Sequence, residues 1–270
     1  MSATDTKTDA IPMTDEQKFF FDLKGWLLLP AVLSDDEIAA CREHAHKVRF
    51  EKDSLPEMMR HPQTGPLAEL LDHPAIVGIL RTIIAEDRTP DCYGFRCESS
   101  FIMHRTNDGG KGLAPHGGGP GTGPLKYRFE YGAIRSPFTR VAWEFNEVKY
   151  KQGGTLLMSG SHKANFHVPR HYSETDMSLF ETYACPPGSV LIFSESVCHA
   201  GDTWTNADND RLAMFNCYNH TMCQYHKMNL PAEVVEAMPP KRRTLFRGVW
   251  GHDFSIGQPN DYYSPDNQAL

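Results

Sequence analysis

Hydrophobic residues change their spacing part-way along the chain. Near the N-terminus, Trp26-Leu-Leu-Leu29 is a short apolar run stopped by Pro30, which predicts a short buried strand. Ser34 and Glu37 then form a capping-box signature, in which hydroxyl and carboxylate each accept from the other residue's backbone amide. A helix to about Val48 follows, with Ile38, Cys41, Ala45 and Val48 on one face. A second helix is predicted from Pro74 to Glu86, capped by Asp72 or His73. Ile76, Ile79, Leu80 and Ile83 form its apolar stripe.

From about residue 92 the helical period disappears. Tyr93–Arg105, Phe138–Val148, Thr155–Met158, Val190–Phe193 and Arg211–Tyr218 are β-prone runs separated by Gly/Pro loops. Many short strands with turn signals between them predict a sandwich or barrel, with the N-terminal helices packed outside. Residues 1–13 are polar and read as a disordered tail. Residues 14–270 read as a single domain, mainly β with flanking helices and a C-terminal extension.

Composition narrows the function classes. The chain has 270 residues, 40% apolar and 23% charged, which suits a globular protein. Acidic residues outnumber basic ones 34 to 27, so no basic excess points to nucleic acid. The longest apolar run, 26–33, spans 8 residues, far short of the ~20 that cross a bilayer. The first ten residues contain no apolar signal core. Seven cysteines without a CxxC pair argue against a disulfide framework, so a reducing, cytoplasmic setting is expected. The Gly117–Gly123 stretch lacks the Lys-Ser/Thr of a phosphate-binding loop.

Thirteen histidines are present, and most need no chemical role. His162, His167 and His171 sit in a polar turn region and read as surface residues; His220, His226 and His252 have no evident partner. Two stand apart. His116 follows the first long strand within Ala-Pro-His-Gly-Gly-Gly. His199 closes Phe193-Ser-Glu-Ser-Val-Cys-His and is read as ending a late strand. Arg211 opens the next strand, twelve residues on. Two neutral imidazoles and a guanidinium facing one cavity suit a ferrous ion with a dicarboxylic co-substrate.

Longer blocks carry a family resemblance. Phe21-Asp-Leu-Lys-Gly25-Trp26 through Glu37, then Gly153-Gly-Thr-Leu-Leu-Met-Ser-Gly-Ser-His-Lys163-Ala-Asn-Phe166, then Pro187-Gly-Ser-Val-Leu-Ile-Phe193 with His199 and Arg211, occur in the order found in phytanoyl-CoA dioxygenase-like proteins. Ser159 stands where that family usually has Pro. The resemblance covers about residues 17–220. It implies a double-stranded β-helix (jelly roll, cupin-like) and an oxygenase using Fe(II), 2-oxoglutarate and O2. By the same resemblance His116 and His199 hold the metal and Arg211 binds the C5 carboxylate of 2-oxoglutarate. Thr203 and Thr205, just past His199, are placed to hydrogen-bond the co-substrate.

The sequence departs from the family at one critical point. The usual His-x-Asp reads His116-Gly117-Gly118, without the carboxylate. Three outcomes are open. Glu195, Glu144 or Asp202 supplies a third ligand; for Glu195 the preferred role is that of an acceptor orienting a ligand histidine, with direct ligation next. Alternatively the vacant position takes chloride, as in the related halogenases. Otherwise iron binds weakly and the chain is a binding module on an oxygenase scaffold.

The expected substrate is a small molecule with an unactivated C–H bond. The basic, aromatic stretch Lys126–Tyr131, with Arg135 and Arg140, is placed to line the cavity mouth and receive an anionic substrate. The stretch from Pro239 through Lys241-Arg242-Arg243 to Tyr262-Tyr263 is read as a lid or homodimer contact.

Overall fold

The structure is a computed structural model that describes residues 10–119, 123–174 and 176–249. Helix α1 spans Asp15–Lys24, where a Thr14/Gln17 capping box starts it and Gly25 in the left-handed region (φ 84°) ends it. Strand β1 is Trp26–Leu29 and helix α2 is Asp35–Phe50, capped by Ser34 and Glu37 as the sequence predicts. Such a cap is worth ~1 kcal/mol. Helix α3, Pro74–Ile83, is capped by the His73 imidazole and stops three residues before the predicted end. The chain is already packed at Ile11, whose N–H donates to Pro74 O at 3.1 Å, and Met13 is buried.

The strands are β2 (Phe95–Arg105), β3 (Arg128–Glu130), β4 (Ala133–Arg135), β5 (Phe138–Glu144), β6 (Thr155–Met158), β7 (Ser189–Ser194), β8 (Cys198–Gly201) and β9 (Arg211–His220). Five form an antiparallel sheet in the order β1-β7-β5-β9-β2; β3 pairs with β4 and β6 with β8. The fold is therefore mainly antiparallel sheet with flanking helices.

Period-two alternation gives the large sheet two apolar faces. Val141, Trp143, Val190, Ile192, Leu212 and Met214 pack in one core with the apolar stripes of α2 and α3. Ala142, Leu191, Phe193, Ala213 and Phe215 face the other way and pack with Leu157 of β6 and with Trp204. The two cores make this central sheet a rigid support. No helix among the described residues is long and apolar enough to cross a membrane.

Several sequence expectations need correction. The late strand does not run through to His199: β7 ends at Ser194, the chain turns, and β8 begins at Cys198. His162 is not a surface residue; it is fully buried, with Nε2 3.1 Å from Asp22 O. His226 has a partner, buried Glu98, at 2.7 Å. Arg242 is clamped by Glu69 and Asp72, and Lys241 by Asp87, so this basic cluster ties the chain to the helical layer. Tyr262 and Tyr263 lie outside the described residues. Of the seven cysteines, all are free and six are buried.

Candidate metal centre

One isolated β-bridge builds the site. His116 pairs with His199 in antiparallel fashion, N–H to C=O at 2.9 and 2.8 Å, extending β8 on the side away from β6. The two imidazoles stand side by side with ring centroids 4.1 Å apart. Residues 83 positions apart in sequence thus become neighbours through two backbone hydrogen bonds.

Both rings are oriented the same way. His116 Nδ1 lies 2.9 Å from Ala114 O and His199 Nδ1 lies 2.8 Å from Val197 O. A carbonyl can only accept, so each Nδ1 carries the proton and each Nε2 presents a lone pair. Burial, opposed by Glu195, pulls the His199 pKa below its ordinary value, which keeps that ring neutral.

Glu195 completes the group. Its Oε2 lies 3.5 Å from His199 Nε2, and its Oε1 accepts from Arg140 Nε at 2.6 Å. One ligand atom from each of His116, Glu195 and His199 falls within 4.8 Å of the others, and among the described residues this is the group that meets such a test. Burial alone would raise the Glu195 carboxyl; the Arg140 guanidinium, which donates to it, outweighs burial and holds the group below its usual range. The acid is therefore ionised, and two neutral imidazoles with one carboxylate suit a ferrous ion.

The role preferred for Glu195 from sequence was that of an orienting acceptor. Backbone carbonyls already orient both rings, and Glu195 faces the Nε2 side instead. No single strand brings 195 and 199 together, since β7 ends at Ser194 and β8 begins at Cys198. A turn does this, held by Val197 N–H to Ser194 O at 2.9 Å and Tyr127 N–H to Ser196 Oγ at 2.9 Å.

The glycines after His116 have a backbone reason. Gly118 has φ 75°, and a Cβ there would fall 2.8 Å from Cys198 Cβ. Gly117 has φ 75° as well, and its Cβ would fall 2.5 Å from Val197 O. Aspartate at 118 would be both strained and crowded. The carboxylate comes from the turn facing this loop instead.

Strand β5 carries two opposed ion pairs. Arg140 binds Glu195 at one end. Four residues on, on the same face, Glu144 takes both sides of the Arg211 fork, Nη2 to Oε1 at 2.5 Å and Nε to Oε2 at 3.2 Å. Arg211 also donates to Thr155 Oγ1 and Tyr183 Oη, each at 3.0 Å. The structure thus brings Arg211 inside, but its fork is already filled by Glu144. Asp202 and Thr203 line a cleft of about 510 Å³ together with Ala114, Pro115 and Ala200. Thr205 is exposed, its N–H donating to Gln152 O at 3.1 Å.

Of the basic, aromatic segment, Tyr127 is buried and donates to Asp22, and Arg128 pairs with Glu130. Arg140 is the member that reaches the metal group. Sequence reasoning missed the Phe101–Phe215 stack (centroids 5.2 Å) beneath the Arg140 guanidinium, and Phe193 against the His199 ring at 4.9 Å.

Comparisons with known proteins give the fold a context. Neither a protein-family model nor a curated protein sequence matches the chain. Solved structures do. HygX from Streptomyces hygroscopicus, with nickel and 2-oxoglutarate bound, superposes with TM-score 0.66 at 19% identity, covering 82% of this chain and 93% of that one. SnoK, a non-heme alpha-ketoglutarate-dependent carbocyclase from nogalamycin biosynthesis, gives 0.55 at 20% identity over 84% and 92%. ThoJ, a non-heme monooxygenase in complex with nickel, gives 0.52 at 16% over 75% and 76%. At these identities the likeness establishes a shared fold.

Proposed function

We propose that this chain is an Fe(II)- and 2-oxoglutarate-dependent oxygenase on a double-stranded β-helix, phytanoyl-CoA dioxygenase-like, that oxidises an unactivated C–H bond of a small molecule. The observation that carries this reading is the convergence of His116, Glu195 and His199 within 4.8 Å. HygX, crystallised with 2-oxoglutarate on the same fold, supports it. Ferrous iron held there, with 2-oxoglutarate and O2, would supply the oxidant and leave succinate and CO2.

The chain's own groups prepare that chemistry. His116 and His199 offer their Nε2 atoms, and Glu195 offers one oxygen while Arg140 holds the other. This fixes the carboxylate rotamer before any ligand arrives, which reduces the ordering cost of binding. Phe193 packs against the His199 ring, and the Phe101–Phe215 stack underlies Arg140. His116 is exposed, so the group is open to substrate on that side.

Glu195 favours oxygen insertion over halogenation. A carboxylate at the third position supplies the negative charge that chloride would otherwise provide. The test is anaerobic iron loading followed by O2, 2-oxoglutarate and candidate substrates, with and without chloride. One iron per chain, O2-dependent succinate and a product heavier by oxygen are expected. A wild-type chain that binds no iron, or succinate formation unchanged in His116→Ala, would overturn the reading. A chlorinated product would establish the halogenase instead.

A further inference from the structure

Glu195 sits at the centre of a reverse turn, Ser194 to Val197, between β7 and β8. The central residues of such a turn have no strand ladder to hold them, so neighbouring segments fix where they lie. Glu195 N–H donates to Phe138 O at 2.9 Å. Ser196 makes two further contacts. Its carbonyl accepts from Gly118 N–H at 3.0 Å, and its hydroxyl accepts from Tyr127 N–H at 2.9 Å. Gly118 lies two residues past His116, and Tyr127 immediately precedes β3. Ser196 therefore fastens the turn that carries Glu195 to the chain that leaves His116 and to the chain that enters β3.

The contact is built on firm ground at both sides. A Cβ on Gly117 would fall 2.9 Å from Glu195 O, so the absence of a side chain lets the two segments press together. On the other side Tyr127 is buried, and its ring meets His162 edge-on with centroids 4.5 Å apart. The Tyr127 hydroxyl donates to Asp22 of α1, and Lys163 Nζ donates to the same carboxylate at 2.6 Å. Tyr127 N–H is thus a fixed donor, and the Ser196 hydroxyl is the side-chain acceptor that meets it.

We infer that Ser196 is a positioning residue for the metal centre: its hydroxyl sets the backbone of Glu195 so that the carboxylate faces the two histidines. Arg140 holds Oε1 at the far end of the side chain, and Ser196 holds the main chain at the near end. With both ends set, Oε2 is kept 3.5 Å from His199 Nε2. The inference rests on the oxygenase reading above, in which Glu195 is a metal ligand.

The test reads metal binding by the full chain, without turnover. Mn(II) is titrated under nitrogen into wild type, Ser196→Ala, Ser196→Val, Ser196→Thr, Glu195→Ala and the Glu195→Ala, Ser196→Ala double variant. Unfolding curves of the metal-free proteins check that each folds. Ser196→Ala and Ser196→Val should weaken Mn(II) binding by about tenfold, the lower end of the loss seen when a residue that orients a metal ligand is removed. Ser196→Thr keeps the hydroxyl and should recover most of that loss. In the Glu195→Ala background, Ser196→Ala should cost nothing more, because the group it positions is gone. An equal loss in both backgrounds would report general loosening and overturns the inference. Wild-type affinity in Ser196→Ala and Ser196→Val overturns it as well, and both results leave the oxygenase reading standing. Wild-type affinity in Glu195→Ala removes Glu195 from the ligand set and the inference with it. A wild-type chain that takes up no Mn(II) overturns the oxygenase reading itself.

Discussion

Glu195 Oε2 lies 3.5 Å from Nε2 of His199, the one ring nitrogen that the backbone leaves unprotonated. Two residues four apart meet across a tight turn rather than along a strand. A carboxylate, absent at position 118, thereby stands beside the histidine from another segment.

Glu195→Ala should lose metal. Outer-shell partners of a metal ligand cost ~10–100-fold in affinity when removed, and a direct ligand should cost more. Mn(II) titration of the folded variant measures it. Affinity within about threefold of wild type would return Glu195 to an outer role.

Gly118→Asp should not rebuild the ordinary His-x-Asp triad. The left-handed backbone costs ~1–2 kcal/mol for a non-glycine residue, and the Cβ contact with Cys198 adds to it. The expected result is a lowered Tm, with no recovery of metal binding in the Glu195→Ala, Gly118→Asp double variant. Recovery of tight binding would show that the loop adapts freely.

Arg211 and Glu144 should behave as a coupled buried pair. Removing one partner strands the other's charge, so Arg211→Met or Glu144→Leu alone should cost ~3–5 kcal/mol in chemical denaturation. The double variant should lose much less than the sum of the two. Additive losses would mean that the pair is not coupled.

Stability should fall in mild acid because of His162. Burial lowers its pKa from 6.5 to about 4. Between those values the unfolded chain binds a proton that the folded chain does not, so stability declines as pH drops from about 6.5 to about 4 and levels off below. The full effect is on the order of 3 kcal/mol. In His162→Gln this part of the pH dependence should flatten; an unchanged slope between pH 6.5 and 4 would assign it to other groups.

Much of the site's chemistry was legible in residue types. His116 and His199 stood out by their positions after and near strands, and Glu195 was among the candidate third ligands. The Ser34/Glu37 box and the stripe of α3 were readable because caps and helical periods are local. Helix α1 was not read, since Phe19 and Phe20 are exposed apolar residues that blur its polar face.

By itself the sequence determined the α-then-β order, the helix boundaries set by caps, and which side chains carry metal-binding chemistry. These follow from spacing and side-chain chemistry within a few residues. Tertiary structure decided which of them meet: the 116–199 bridge, the turn that aims Glu195, and the Glu144 carboxylate that closes Arg211. Those depend on hydrogen bonds and charge pairing between segments remote in the chain, and such pairings leave no period in the sequence.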